Sequence, residues 1–92
     1  MEILEIVEQK NEYMKLLDHQ TKVNKLLELH RRITNSEMEA IEHTLVSCSV
    51  ALAHAQDMPM DGYYERVRKE EILFWIRCLN YTQEKRTVLI NK

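Results

Sequence analysis

Glycine and proline are almost missing from this 92-residue chain, with one of each. That scarcity excludes collagen-like, glycine-loop and proline-rich chains, and it argues against an all-β protein, whose tight turns need both residues. Cysteine is scarce too. Cys48 and Cys78 are too few for a disulfide framework and both lie in helical stretches, so free thiols in a reducing compartment are expected. Neither sign of charge dominates: 13 Lys and Arg stand against 15 Asp and Glu, net −2, which disfavours nucleic-acid or membrane binding driven by overall charge. Long apolar runs are lacking. The longest stretch without a charged residue, His43 to Gln56, is 14 residues and holds two His and two Ser, too short and too polar to cross a bilayer. The start, Met1-Glu2-Ile3-Leu4-Glu5, has no basic region followed by an apolar one, so no signal peptide is read there. A cytoplasmic protein is the expectation. No repeat of 20 to 50 residues is visible, and neither is a low-complexity tract.

What is present is helical periodicity, in one domain spanning residues 1–92. From about Glu2 to Ile33, the positions Ile6, Tyr13, Leu16, Val23, Leu27 and His30 follow the three-and-four spacing of an amphipathic helix. Glu28 and Arg32 add a charged pair one turn apart on its exposed face. Thr34-Asn35-Ser36-Glu37 breaks the pattern. Ser36-x-x-Glu39 reads as a capping box opening a second helix, with Thr34-x-x-Glu37 as a competing frame. The second segment runs to about Gln56. Asp57-Met58-Pro59-Met60-Asp61-Gly62 reads as a loop, because Pro59 disfavours helix on both sides of itself. A third helix begins near Tyr63 and reaches at least Lys85, with the β-branched tail Thr87-Val88-Leu89-Ile90 fraying or docking elsewhere. The fold class is all-α: a three-helix antiparallel bundle made of a long helix, a central apolar helix and a long helix.

The central segment carries a physical difficulty. Met38, Ile41, Leu45, Cys48, Leu52 and Ala55 form a heptad seam, yet Val46, Val50, Ala51 and Ala53 cover other faces. A helix apolar all round must be covered all round, and two flanking helices leave part of its circumference open. A second copy of the chain would supply the cover, so a homo-oligomer is expected, most simply a two-fold dimer. Met38, Ile41, Leu45, Val46, Val50, Leu52 and Ala53 are the residues assigned to self-association.

Candidate chemistry is thin. His19 and His30 are spaced by eleven residues, as are His43 and His54, about three helical turns. In a hairpin turning near Asn35, His30 falls level with His43, and His19 level with His54. Without HxxxH or CxxC spacing, packed or interfacial histidines are the favoured reading over a metal site. Ser47, Cys48 and Ser49 lie in mid-helix, where a nucleophile is rarely presented, and no nucleophile elbow, HExxH, P-loop or GxGxxG is found. No catalytic residue, cofactor or metal is assigned. Charge is unevenly placed: residues 33–65 carry six acids and no Lys or Arg, residues 66–92 three acids and seven bases. Complementarity between neighbouring helices is the simpler reading. The alternative is an anionic, nucleotide-type ligand held by Tyr63, Tyr64, Arg66, Arg68, Lys69, Trp75 and Arg77, since a helix N-terminus with aromatics and guanidinium groups suits phosphates and bases. Met58, Met60, Tyr63, Tyr64 and Arg66 suit an adaptable protein-binding surface as well as they would plug the bundle end.

The length and the order of a long helix, a shorter one and a third resemble the all-helical chorismate mutases, intertwined dimers of about this size. The resemblance covers architecture. That family carries Arg and Lys along its first helix and an Arg-Glu pair early in its second, facing the substrate carboxylates; here the second segment has no Arg or Lys. The expected function is therefore non-enzymatic: a small helical adaptor, inhibitor or regulator that binds another protein, of the kind found among bacterial and phage-encoded modulators. An oligomer that sequesters a nucleotide is the alternative, and DNA binding ranks lowest.

Overall fold

The computed structural model describes the backbone of residues 2–59 and 62–92 and the side chains of 18–59, 62 and 64–92. Three helices account for nearly all of it: α1 (Glu2–Ile33), α2 (Glu37–Gln56) and α3 (Tyr63–Ile90), with no strand among the described residues. The first half of the apolar stripe expected on α1, including Ile6, Tyr13 and Leu16, lies outside the described side chains.

The turn after α1 chooses between the two capping frames. Ser36 takes an extended backbone (φ −148°, ψ 159°), and its Oγ accepts from the Glu39 amide at 3.1 Å. Glu39 reaches back, accepting from the Asn35 amide at 3.2 Å. Thr34 loses the competition because its hydroxyl donates to the His30 carbonyl at 2.6 Å and closes α1 instead. Replacing Ser36 with alanine is expected to lower stability by about 1 kcal/mol. By thermal circular dichroism that is a fall of about 4–8 °C.

The second turn places the single glycine where only glycine is comfortable. Gly62 has φ 57° and ψ −127° as it opens α3. The third helix decides between the two alternatives for the tail. It does not fray after Lys85 but continues to Ile90, because Leu89 packs against the core and anchors the last turns.

Contacts fix the register. His30 reaches Thr44 and Arg31 reaches Glu37, so α1 and α2 are antiparallel. Arg68 donates to the Gln56 carbonyl, while Cys78 shares the core with Cys48, so α2 and α3 are antiparallel too. All three helix pairs touch, and α2 with α3 touch most extensively. The buried centre is Val23, Leu27, Ile41, Cys48 and Cys78, joined by half-buried Leu26, Leu45, Phe74, Trp75, Leu79, Tyr81 and Leu89. Two threonines, Thr44 and Thr82, are also fully buried. Each hydroxyl donates to the carbonyl one turn back, Ala40 at 2.8 Å and Cys78 at 2.7 Å, which satisfies it without water.

The shape is long and thin, 49 × 35 × 22 Å, with a radius of gyration of 15.7 Å. A compact domain of this length would have a radius of gyration of about 12 Å. The accessible surface, 7097 Å², also exceeds the roughly 5,700 Å² expected of a compact monomer of this mass.

Candidate interaction surface

The seam assigned to self-association divides in two. Ile41 is buried at 2 %, and Leu45 packs against the core, so both serve the subunit's own interior. Met38 and Leu52 are half-buried. That half of the assignment is corrected: the heptad face is the face α2 turns to α1 and α3. The other half is open. Val46 is 62 % and Val50 51 % exposed, and Ala53 is exposed beside them, making a stripe at i, i+4 and i+7 along the solvent side of α2.

At the start of α3 the cations proposed for an anionic ligand are already engaged. Arg66 pairs with Glu70 at 3.5 Å and Lys69 with Glu65 at 3.4 Å, one turn away on the same helix. Arg68 Nε donates to the Gln56 carbonyl at 3.3 Å, tying α3 to the end of α2. Exposed i,i+4 pairs of this kind cost little to break. The same list does not converge, however. Trp75 lies edge-on to Phe74 at 5.0 Å, donates its indole N–H to Glu71 at 3.1 Å, and packs on the core. Arg77 is half-buried and lines two clefts further along α3. Tyr64 is exposed and Met58 half-buried, while Met60 and the Tyr63 side chain lie outside the described residues.

A cleft of about 430 Å³ lies at the other end of α3, where sequence reasoning did not place a site. Its walls come from either side of the α1–α2 turn (Arg31, Glu37, Ile41), from the last turns of α3 (Tyr81, Glu84, Lys85, Val88, Leu89) and from Lys92 just beyond it. Arg31 holds Glu37 with two hydrogen bonds of 2.8 and 2.7 Å. That bonding raises the Arg31 pKa and lowers that of Glu37. The Lys85 ammonium sits 4.8 Å from the centroid of the Tyr81 ring. The signal missed was tertiary: these residues come from segments about fifty positions apart and share no motif.

The histidines separate. His30 and His43 do meet, ring centroids 5.8 Å apart. His19 does not meet His54. It is 5 % exposed and stands edge-on to Tyr81 at 5.9 Å, with its Nδ1 unpartnered, while His54 is exposed. The reason is packing: α3 lies over His19 and takes the place the hairpin geometry reserved for His54. The two buried thiols face each other and shift in opposite directions: hydrogen bonding with Cys78 lowers the Cys48 pKa against the opposing effect of burial. Hydrogen bonding to Cys48, followed by burial, pushes the Cys78 thiol far above the usual range, so it stays protonated and unreactive. Among the described residues no three His, Cys, Asp or Glu side chains gather as a metal cluster, and no helix is long and apolar enough to cross a membrane.

No protein-family model, curated protein or solved structure matches this chain.

Proposed function

We propose that the protein is a non-enzymatic helical binding module, self-associating through the solvent side of α2 and covering a surface on another protein. The observation that carries the first part is its excess surface. The chain exposes roughly 1,400 Å² more than a compact monomer of its mass. A standard interface buries about 800 Å² per partner. The Val46–Val50–Ala53 stripe supplies an apolar centre for such an interface, and the small Ala53 permits close helix approach. Met58, Tyr64 and Arg66, near the junction of α2 and α3, are the described residues proposed for the partner. The exposed Arg66–Glu70 pair opens at little cost.

Light scattering tests the assembly. The 11.1 kDa chain is expected to run at about twice that mass or more, and the double change Val46→Glu, Val50→Glu to return it to the monomer while leaving helix content intact. A monomeric parent protein at tens of micromolar overturns self-association. For the partner, crosslinking in the source cells followed by mass spectrometry should return a partner that Tyr64→Ala with Arg66→Glu loses; recovery unaffected by those changes moves the contact elsewhere.

One observation favours a second reading, an anionic, nucleotide-type ligand. The 430 Å³ cleft collects an aromatic ring and three cations, Tyr81 with Arg31, Lys85 and Lys92, against two acids, Glu37 and Glu84, of which Glu37 is held by Arg31. Thermal shift against a nucleotide panel distinguishes it: several degrees of stabilisation, lost in Lys85→Glu, supports the ligand reading.

A further inference from the structure

The α1–α2 hairpin brings two imidazoles together near its turn. His30 is half-buried on α1, and His43 is exposed on α2. Their ring centroids are 5.8 Å apart and the planes are inclined by 57°. We propose that His30 and His43 form a two-histidine site for a divalent transition-metal ion, Zn²⁺, Ni²⁺ or Cu²⁺, which would clamp the two helices.

The separation suits a shared ion. With a metal–nitrogen bond near 2.1 Å, each ring centroid lies about 3.2 Å from the metal. Centroids at 5.8 Å then subtend an angle of about 130° at the ion. Tetrahedral geometry needs a closure of roughly 0.6 Å, within reach of the exposed His43 side chain.

The first ligand is preset electronically. The hydroxyl proton of buried Thr44 is assigned to the Ala40 carbonyl at 2.8 Å, so its oxygen is left to accept. His30 Nδ1 lies 2.8 Å from that oxygen and therefore carries the hydrogen. The neutral ring then keeps its lone pair on Nε2. A metal-binding histidine is commonly oriented in this way, one nitrogen donating to a fixed oxygen and the other facing the ion. Burial, followed by the neighbouring His43, lowers the His30 pKa, which favours the neutral, metal-competent ring near pH 7. Both rings stand on helices packed against each other, so little order is lost on binding. With two protein ligands the remaining positions go to water, and imidazole is a donor that Zn²⁺, Ni²⁺ and Cu²⁺ accept while Mg²⁺ does not compete for it.

Thermal melting of tag-free protein with Ni²⁺ or Zn²⁺ tests the site. At about ten times the dissociation constant, the melting temperature should rise by about 5 °C or more. Mg²⁺ should leave it unchanged. His43→Ala removes an exposed side chain, so the variant folds, and it should abolish the rise. His54→Ala should keep it. Calorimetric titration should show one ion per chain in the parent and in His54→Ala. No rise with either metal, an undiminished rise in His43→Ala, or equal loss in His54→Ala overturns the proposal.

Discussion

Leu27→Ala is expected to cost about 3–4 kcal/mol and to lower the melting temperature by about 15–25 °C. Leu27 is 1 % exposed and belongs to the small cluster with Val23, Ile41, Cys48 and Cys78, where α1 meets the α2–α3 pair. Its neighbours are compact or β-branched and sit on three different helices, so they cannot slide into the space left behind. Loss of transfer free energy and a residual cavity therefore add. A domain of this length has on the order of 5–14 kcal/mol of total stability, so roughly a fifth or more is at stake. The matching control is Leu29→Ala. Leu29, two residues on and turned to another face of the helix, is exposed and should change stability by no more than about 0.5 kcal/mol. Equal effects in the two variants, measured by denaturant titration, would mean that α1 is not seated on Leu27.

That contrast shows what periodicity makes legible. The three-and-four spacing put Val23 and Leu27 inward, and the structure buries both. The limits of α2 were legible for the same kind of reason, since Ser36 and Asp57 act within one turn of themselves. Local signals fail where tertiary packing decides. The β-branched residues Val88 and Ile90 argue against helix, but Leu89 between them is held by the core and the helix persists. A heptad seam says which residues share a face, not which surface covers that face. The seam alone predicts that Ile41 and Leu45 face another copy, whereas they face α1 and α3 of their own chain.

The candidate sites follow the same division. The His30–His43 pairing was within reach of arithmetic, because a short hairpin turn fixes the register of the residues beside it. His19 lies about three further turns from that hinge, and there α3 intervenes. The cleft around Tyr81 and Lys85 needed all three helices before its walls existed. The charge asymmetry of the chain resolves partly into complementarity between neighbours. Arg31 grips Glu37 across the turn, whereas Arg66 and Lys69 find their acids on α3 itself. What is left unmatched is apolar: the Val46–Val50 stripe, open to solvent on a chain already longer than its core can fill.

Thr44→Val should destabilise the protein by about 2 kcal/mol although valine has nearly the same shape. Thr44 is fully buried, and its oxygen is the partner of His30 Nδ1. Valine keeps the packing and leaves the Ala40 carbonyl its helical amide bond, so neither accounts for the loss. The cost comes from the imidazole N–H, which has no acceptor once the hydroxyl is gone and sits where water reaches it poorly. Thr44→Ser, which retains the oxygen, should recover most of the stability. Thr87→Val is the control for the backbone term, since the exposed Thr87 hydroxyl also donates one turn back, to Gln83 at 3.0 Å, and its removal should change little. Nitrogen-15 NMR of the rings gives an independent readout. His30 should carry its proton on Nδ1 in the parent protein and in Thr44→Ser, and lose that preference in Thr44→Val. A Thr44→Val loss no larger than that of Thr87→Val, with the tautomer unchanged, would show that packing alone holds the His30 ring against α2.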